Sequence, residues 1–236
     1  MTGYLKRFYE RLREKYAGCL VKVEEVKEME PNAKEYLNKL AKAGLIEKVR
    51  WGWYWIPNKI KDPWDFFEKD RGFKIVSYQT AASLWNKDFV HRDSYALKVS
   101  DRSYGKALEE FAKKRGWRFQ VEYVDKPRNY KKVGGLLIED MGKTIIECIS
   151  RWAFMDAFAT LYSNRDRIKL EDLSEQSYWR RIRGTKVRVR QALEYGCYLI
   201  NESVGKEMFH VRKPKLEDEY VRREIDEAIE KVVELG

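Results

Sequence analysis

The first 57 residues carry the most restrictive pattern in the chain, because a run of helical periodicity leads directly into a short apolar ribbon rich in tryptophan. Apolar side chains recur three or four positions apart from Leu5 to Tyr16, which predicts an amphipathic helix that ends near Gly18. Residues 20–23 predict a short strand and residues 23–29 a brief second helix. The N-terminal segment therefore starts as helix, strand and helix.

A third helix is predicted over residues 32–43, after the break at Pro31. Asn32 is a favourable N-cap, and Glu35 three residues later completes a pattern like a capping box. Gly44 predicts the end of this helix. Residues 46–50 and 53–56 then read as two strands around a turn that contains Gly52.

Helix, short helix, helix and hairpin is the order of a winged helix-turn-helix, whose second motif helix enters the DNA major groove. The sequence thus predicts a mixed α/β (α+β) fold, with a winged helix-turn-helix in residues 1–60 and an α/β domain with a helical C-terminal part in residues 61–236. Polar residues of the third helix and residues of the hairpin are the predicted contacts to double-stranded DNA: Asn32, Lys34, Glu35, Asn38, Lys39, Lys42, Lys48, Arg50, Trp51 and Trp53. The tryptophans could instead pack on the neighbouring domain.

Downstream of residue 60 the pattern alternates between strand and helix and then becomes helical. Strands are expected at residues 75–77, 95–100, 119–124 and 136–139. Helices are expected at residues 63–69, 78–86, 104–115, 143–158, 170–179, 187–200 and 217–235. This alternation is the basis for the α/β domain.

Composition restricts the function. No apolar run reaches the roughly 18 to 20 residues that span a bilayer, and the N-terminus lacks the apolar core of a signal peptide, so a cytoplasmic protein without membrane contact is expected. Cys19, Cys148 and Cys197 are far apart and lie in apolar surroundings, which predicts buried reduced thiols and no metal site. The abundance of Lys, Arg and Glu, with few Asn and Gln, is typical of proteins from thermophilic organisms.

The formal net charge of +10 fits an anionic partner. Basic residues exceed acidic ones in residues 1–60 and again in residues 179–213, whereas acidic residues predominate after residue 215. The second region contains a predicted secondary basic patch: Arg180, Arg181, Arg183, Lys186, Arg188 and Arg190. It is either a second contact to nucleic acid or to an acidic protein surface, or a solvated helix face paired with the acidic tail.

The alternative hypothesis is that the protein is an enzyme that processes nucleic acid, such as a metal-dependent nuclease. The chain has no P-loop, dinucleotide fingerprint or nucleophile elbow, so no catalytic residue or cofactor is predicted. Glu122, Asp125 and Glu139 nevertheless stand near strand ends, close in sequence to lysines. A metal-dependent nuclease could gather such carboxylates around a divalent cation.

Three stretches resemble the AbiEi-type antitoxin family of type IV toxin–antitoxin (abortive infection) systems. They are residues 36–46 in the third helix, residues 76–85 with a strand followed by a Thr-Ala helix, and residues 136–148 with a strand followed by a Lys-Thr helix. Lys143 and Glu147 stand where Arg and Asp are commoner in that family, and the acidic C-terminal helix from Leu216 is outside its pattern.

The resemblance implies a winged helix, an α/β middle domain, repression of the protein's own promoter and a nucleotidyltransferase toxin as partner. For Lys143 and Thr144 a structural role as helix anchor is the favoured interpretation. The apolar stripe of the last helix suits packing on its own domain or the seam of a homodimer, which would engage two DNA half-sites one turn apart.

Overall fold

A computed structural model describes residues 3–86 and 93–235 and shows a mixed α+β protein. Its helices are α1 (Gly3–Tyr16), α2 (Val23–Lys27), α3 (Ala33–Lys42), α4 (Pro63–Lys69), α5 (Tyr78–Trp85), α6 (Arg102–Lys114), α7 (Met141–Ser150), α8 (Phe154–Ser163), α9 (Lys186–Val204) and α10 (Glu219–Leu235). Its strands are β1 (Leu20–Lys22), β2 (Glu47–Arg50), β3 (Trp53–Trp55), β4 (Lys74–Val76), β5 (Ser94–Val99), β6 (Arg118–Tyr123), β7 (Tyr130–Val133) and β8 (Leu136–Glu139). Within the described ranges, none of the helices has the length and apolar character needed to cross a bilayer.

The N-terminal elements form a three-stranded antiparallel sheet of order β1-β3-β2. Strand β3 lies in the middle, with Tyr54 opposite Val21 on one side and Lys48 on the other. The register between β2 and β3 shifts between Lys48 and Arg50, so the hairpin is irregular just before its turn. β3 is the sequence Trp-Tyr-Trp, and bulky aromatic residues suit a strand whose faces are covered.

A second sheet has five strands in the order β6-β5-β4-β8-β7. β4 and β8 pair in parallel, with Val76 opposite Ile138. Strand β7 is exposed along its whole length and was not expected from the sequence, since Tyr-Lys-Lys-Val shows no buried face.

The chain divides into two compact units, each built from several segments. The first unit comprises residues 1–74, 97–126 and 132–136, and the second comprises residues 75–96, 127–131 and 137–236. The first unit has a core of apolar side chains from α1, α2, α3 and the three-stranded sheet, among them Leu12, Leu37 and Tyr54. Residue 60, where the sequence predicts a domain boundary, falls inside this unit.

The second unit has a helical core. Fully buried side chains from α7, α8, α9 and α10 form it, including Ile145, Phe158, Ile200 and Ile225. Gly196 on α9 allows the helix to approach Phe158 closely, because a Cβ atom there would lie 2.1 Å from the ring of Phe158. The middle of the apolar stripe predicted for the last helix is buried in this unit, whereas Tyr220 at the start of the stripe is exposed.

Two predicted helices are wrong in extent. The single helix expected over residues 143–158 is divided into α7 and α8 by a turn in which Trp152 adopts a left-handed φ of 63°. The helix expected over residues 170–179 is reduced to one 3₁₀ turn, Asp172–Ser174, followed by turns. The three cysteines are buried free thiols, as predicted, and burial raises the pKa of each.

Candidate nucleic-acid interface

Helix α3 buries one face and exposes the other. Ala33, Leu37 and Leu40 have no exposed surface, which fixes the orientation of the helix against the core of the first unit. The opposite face consists of exposed polar side chains that the sequence predicts as DNA contacts: Asn32, Lys34, Glu35, Lys39 and Lys42. The predicted residues on this helix are therefore brought together on one accessible surface.

The start of α3 differs from the capping box that the sequence predicts. Asn32 has φ −88° and ψ 20°, and its side chain makes no capping hydrogen bond. Its backbone N–H instead donates to Glu30 Oε1 at 3.1 Å, because Glu30 is buried and reaches the turn from the preceding segment. The exposed Asn32 side chain is thus not committed to holding the helix end.

Three of the predicted contacts on α3 are already engaged within the protein. The carbonyl oxygen of the half-buried Asn38 side chain accepts a hydrogen bond from the Tyr54 hydroxyl at 2.8 Å. Glu35 pairs with Lys39 one turn later at 2.5 Å, and this hydrogen bond raises the pKa of Lys39. The pair is exposed, so both partners can exchange it for other contacts at small cost.

The turn between β2 and β3 presents an aromatic tip. The Trp51 side chain is 78% exposed, the largest fraction among the bulky apolar side chains of the described residues. The ammonium groups of Lys34 and Lys48 lie 5.3 and 5.6 Å from the centre of its ring, within the range of cation–π attraction. Trp51 therefore connects the exposed face of α3 to the hairpin through two cations.

Trp53 was wrongly predicted to be a DNA contact. It is only 3% exposed, and its indole N–H donates to Ser103 Oγ at 2.8 Å. Its ring packs 5.6 Å from that of Tyr104. A buried indole that already donates its one hydrogen has no surface left for a ligand.

Arg50 is half-buried rather than free. Its Nε lies 3.9 Å from a carboxylate oxygen of Glu110 on α6, within the first unit. Of the four predicted hairpin contacts, Lys48 and Trp51 are exposed, whereas Arg50 and Trp53 belong to the packing of the hairpin.

Glu47 fixes the base of the hairpin to α6. Its two carboxylate oxygens accept hydrogen bonds from Lys114 at 3.0 Å and Arg115 at 2.9 Å. Partial burial alone would raise the pKa of Glu47, but the hydrogen bonds from Arg115 and Lys114 outweigh it and lower the pKa. Lys114 also donates to the backbone carbonyl of Lys48 at 2.9 Å, so the hairpin is held in a defined position within its unit.

The secondary basic patch lies in the second unit, on the loop before α9 and on the first turns of that helix. All six of its residues, Arg180, Arg181, Arg183, Lys186, Arg188 and Arg190, are exposed. Arg190 pairs with Glu194 of its own helix at 2.9 Å rather than with the acidic tail.

The carboxylates proposed for a nuclease have different environments. Glu122 and Asp125 are exposed, whereas Glu139 is 2% exposed and accepts the backbone N–H of Tyr78 at 3.3 Å. Across residues 3–86 and 93–235 no group of three or more His, Cys, Asp or Glu side chains is placed to hold a metal ion. The nuclease hypothesis therefore gains no support from the geometry.

Comparison of the chain with protein-family models and with curated proteins finds no match in either case. The geometry by itself defines an α+β protein with a cationic helix face beside an aromatic-tipped hairpin.

Proposed function

We propose that residues 3–56 form a winged helix-turn-helix that binds double-stranded DNA through α3 and the β2–β3 hairpin. The observation that carries this proposal is the single accessible surface that holds the polar face of α3, Trp51 and Lys48. A helix of ten residues fits the major groove, which is about 12 Å wide. Asn32 and the free NH₂ edge of Asn38 are the groups suited to base edges, and the lysines are suited to phosphates.

The hairpin acts as the wing in this proposal. Trp51 and Lys48 would lie against the backbone or the minor groove, where an aromatic face and a cation are both common contacts. Arg50 and Trp53 pack the wing against α6 and do not contact DNA in this proposal. Because Glu47 and Lys114 hold its base, little conformational entropy would be lost when the wing binds.

The biological role follows from the resemblance to AbiEi-type antitoxins and belongs to the same proposal. The protein would be a cytoplasmic transcriptional regulator without catalytic activity that represses its own promoter and neutralises a nucleotidyltransferase toxin. A homodimer would place two α3 helices in successive major grooves. Co-expression with the product of the neighbouring gene tests whether that product is a toxin partner. A stable complex that restores growth supports the partnership, and separate purification of the two proteins argues against it.

The DNA-binding proposal is tested by fluorescence anisotropy with a duplex from upstream of the protein's own gene and a scrambled duplex, at several salt concentrations. We expect preference for the upstream duplex. Replacing Asn32 by Ala should cost about 1–3 kcal/mol on that duplex and much less on the scrambled one, as is typical for loss of base readout. Lys42→Ala should weaken both equally and reduce the salt slope by about one.

Lys106→Ala is the matched control, since Lys106 is an exposed lysine on α6 of the same unit. Equal affinity for the two duplexes would remove the regulator proposal. Loss of affinity in Lys106→Ala that equals the loss in Lys42→Ala would show that only net charge matters, and would remove the assignment to α3.

A further inference from the structure

The second unit contains a concave pocket that the proposed DNA contacts do not use. Its volume is about 500 Å³, and it opens at the start of α9. Seven residues line it: Ser174, Gln176, Trp179, Arg180, Lys186, Val187 and Arg190. This volume lies in the range of 300–1,000 Å³ that is usual for small-molecule sites and is far larger than a phosphate ion requires.

The lining is cationic, and its ion pair, Arg190 with Glu194 at 2.9 Å, is exposed enough for a phosphate to replace the carboxylate. All seven lining residues belong to the described part of the chain. Three of them are cations and none is acidic. Helix α9 is 19 residues long and begins at Lys186, so the positive end of its dipole adds to the same field. The pocket therefore favours an anion.

An aromatic ring forms another part of the wall. Trp179 is half-buried, and its indole N–H donates to the backbone carbonyl of Leu173 at 2.9 Å, which fixes the orientation of the ring. Val187 beside it is 65% exposed and adds apolar surface. A planar ring held in place next to cations is the arrangement that binds a nucleobase by stacking while its phosphates are paired.

The loop that carries Trp179 and Arg180 is held by a buried lysine. Lys143 is only 6% exposed, and its ammonium donates to the backbone carbonyls of Tyr178 at 2.7 Å and Arg180 at 3.0 Å. Glu147 balances its charge at 2.8 Å. Gly142 allows this approach, because a Cβ atom there would lie 2.5 Å from the Tyr178 ring. The pocket wall is thus preorganised, which favours ligand binding.

We propose that this pocket binds a nucleoside phosphate, with the base on Trp179 and the phosphates paired with Arg180, Lys186 and Arg190. The concave shape favours a free nucleotide over a duplex, whose backbone is convex. The site is a second function, separate from DNA binding. Because it lies in the second unit and the proposed DNA contacts lie in the first, the two proposals can fail independently.

Isothermal titration calorimetry of the full chain with ATP and GTP tests the site. We expect one molecule of nucleotide to bind per chain. Adenosine, which lacks phosphates, and pyrophosphate, which lacks the base, should each bind at least tenfold more weakly. A short single-stranded oligonucleotide tests whether the pocket instead binds nucleic acid, which carries the same bases and phosphates. The proposal requires that a mononucleotide binds and that the oligonucleotide binds no more tightly than the mononucleotide.

The variants Arg180→Ala and Lys186→Gln should each weaken nucleotide binding about tenfold, as loss of a charge-assisted hydrogen bond predicts. Trp179→Leu should weaken ATP more than pyrophosphate. Arg183→Ala is the control, because Arg183 is exposed in the same segment but does not line the pocket. A circular dichroism spectrum like that of the wild type identifies the variants that fold. If Trp179→Leu does not fold, the affinity of Arg180→Ala for nucleotide tests the proposal on its own.

No heat with nucleotide at millimolar concentration would overturn the proposal. Equal binding by wild type and the Arg180→Ala, Lys186→Gln double variant would also overturn it. Tighter binding of the oligonucleotide than of any mononucleotide would assign the surface to nucleic acid instead.

Discussion

At the scale of single residues, Asp70 joins three separate parts of the first unit. It is buried, and its carboxylate accepts hydrogen bonds from the backbone N–H of Leu20 at 2.8 Å, the Lys74 ammonium at 2.9 Å and the Tyr104 hydroxyl. Burial and the nearby Asp70 charge together raise the pKa of Tyr104 well above its usual value. Asp70 therefore balances the positive charge of Lys74, and both side chains are buried.

We expect Asp70→Ala to destabilise the protein by about 3–5 kcal/mol, because it leaves the buried Lys74 ammonium without its counter-charge. Urea denaturation followed by circular dichroism measures the change. Asp125→Ala is the control: Asp125 is exposed in the same unit, so its loss should stay within about 0.5 kcal/mol. A loss below 1 kcal/mol for Asp70→Ala would show that the cluster contributes little.

The sequence pattern predicts the exposed face of α3 correctly, but it gives the wrong role for two side chains, Asn32 as a helix cap and Trp53 as an exposed contact. Asn32 has the right residue type for a cap, yet its side chain makes no capping bond, and Glu30 accepts the backbone N–H of Asn32 that Glu35 would accept in a capping box. Trp53 failed for a different reason. In Trp-Tyr-Trp every position is apolar, so alternation cannot say which face meets solvent, and the partners Ser103 and Tyr104 lie fifty residues away.

At the scale of elements, a partly buried polar contact joins the two long C-terminal helices. The Tyr195 hydroxyl on α9 donates to Asp226 on α10 at 2.8 Å. Burial, and then the hydrogen bond to Asp226 and its charge, raise the pKa of Tyr195 to about 12. Its ordinary value is 10, so the folded state holds this proton more tightly than the unfolded chain does.

This difference predicts a pH dependence with a definite sign. Below pH 10 the contact stabilises the fold in full, and the contribution is lost as the pH rises from 10 towards 12, because the unfolded chain releases the proton first. Tyr195→Phe should cost about 1 kcal/mol at pH 7, the usual value for one hydrogen bond, and the difference from wild type should shrink above pH 10. The comparison removes the effect of the other tyrosines.

Thermal unfolding of both proteins from pH 7 to 11 measures this, with Tyr220→Phe as the control, because Tyr220 is an exposed tyrosine on α10. A gap between wild type and Tyr195→Phe that stays constant or widens above pH 10 would contradict the assignment.

The helices that were wrongly predicted share a physical cause. A helix usually ends at a glycine that takes the left-handed conformation, but α7 ends with Trp152 in that role, so no stop signal appears in the sequence. Residues 170–179 have helical periodicity, yet Lys143 on α7 binds the carbonyls of Tyr178 and Arg180 and holds this segment in turns after the single 3₁₀ turn. Tertiary contacts decide both cases.

At the scale of the whole molecule, the N-terminal three-stranded sheet depends on residues that come much later in the chain. Its core face packs on α1 and α3, while Trp55 on β3 packs 4.7 Å from Phe111 of α6 and 5.8 Å from Phe66 of α4. Phe66 and Phe111 are fully buried. The first unit accordingly continues through residues 97–126, and the local patterns that predicted each element contained no signal for this packing.

A fragment of residues 1–60 tests this dependence. Without α4 and α6, Trp53 and Trp55 lose their cover, so we expect the fragment to lack cooperative unfolding and to show tryptophan emission shifted to longer wavelength than in the full chain. In the full chain, Phe111→Ala should cost about 3–5 kcal/mol, the usual loss for a buried aromatic ring. Trp51→Ala, which removes the exposed tryptophan of the same hairpin, should leave stability within about 0.5 kcal/mol. A fragment that unfolds cooperatively, together with a Phe111→Ala loss below 1 kcal/mol, would show that the predicted boundary near residue 60 separates an independent domain.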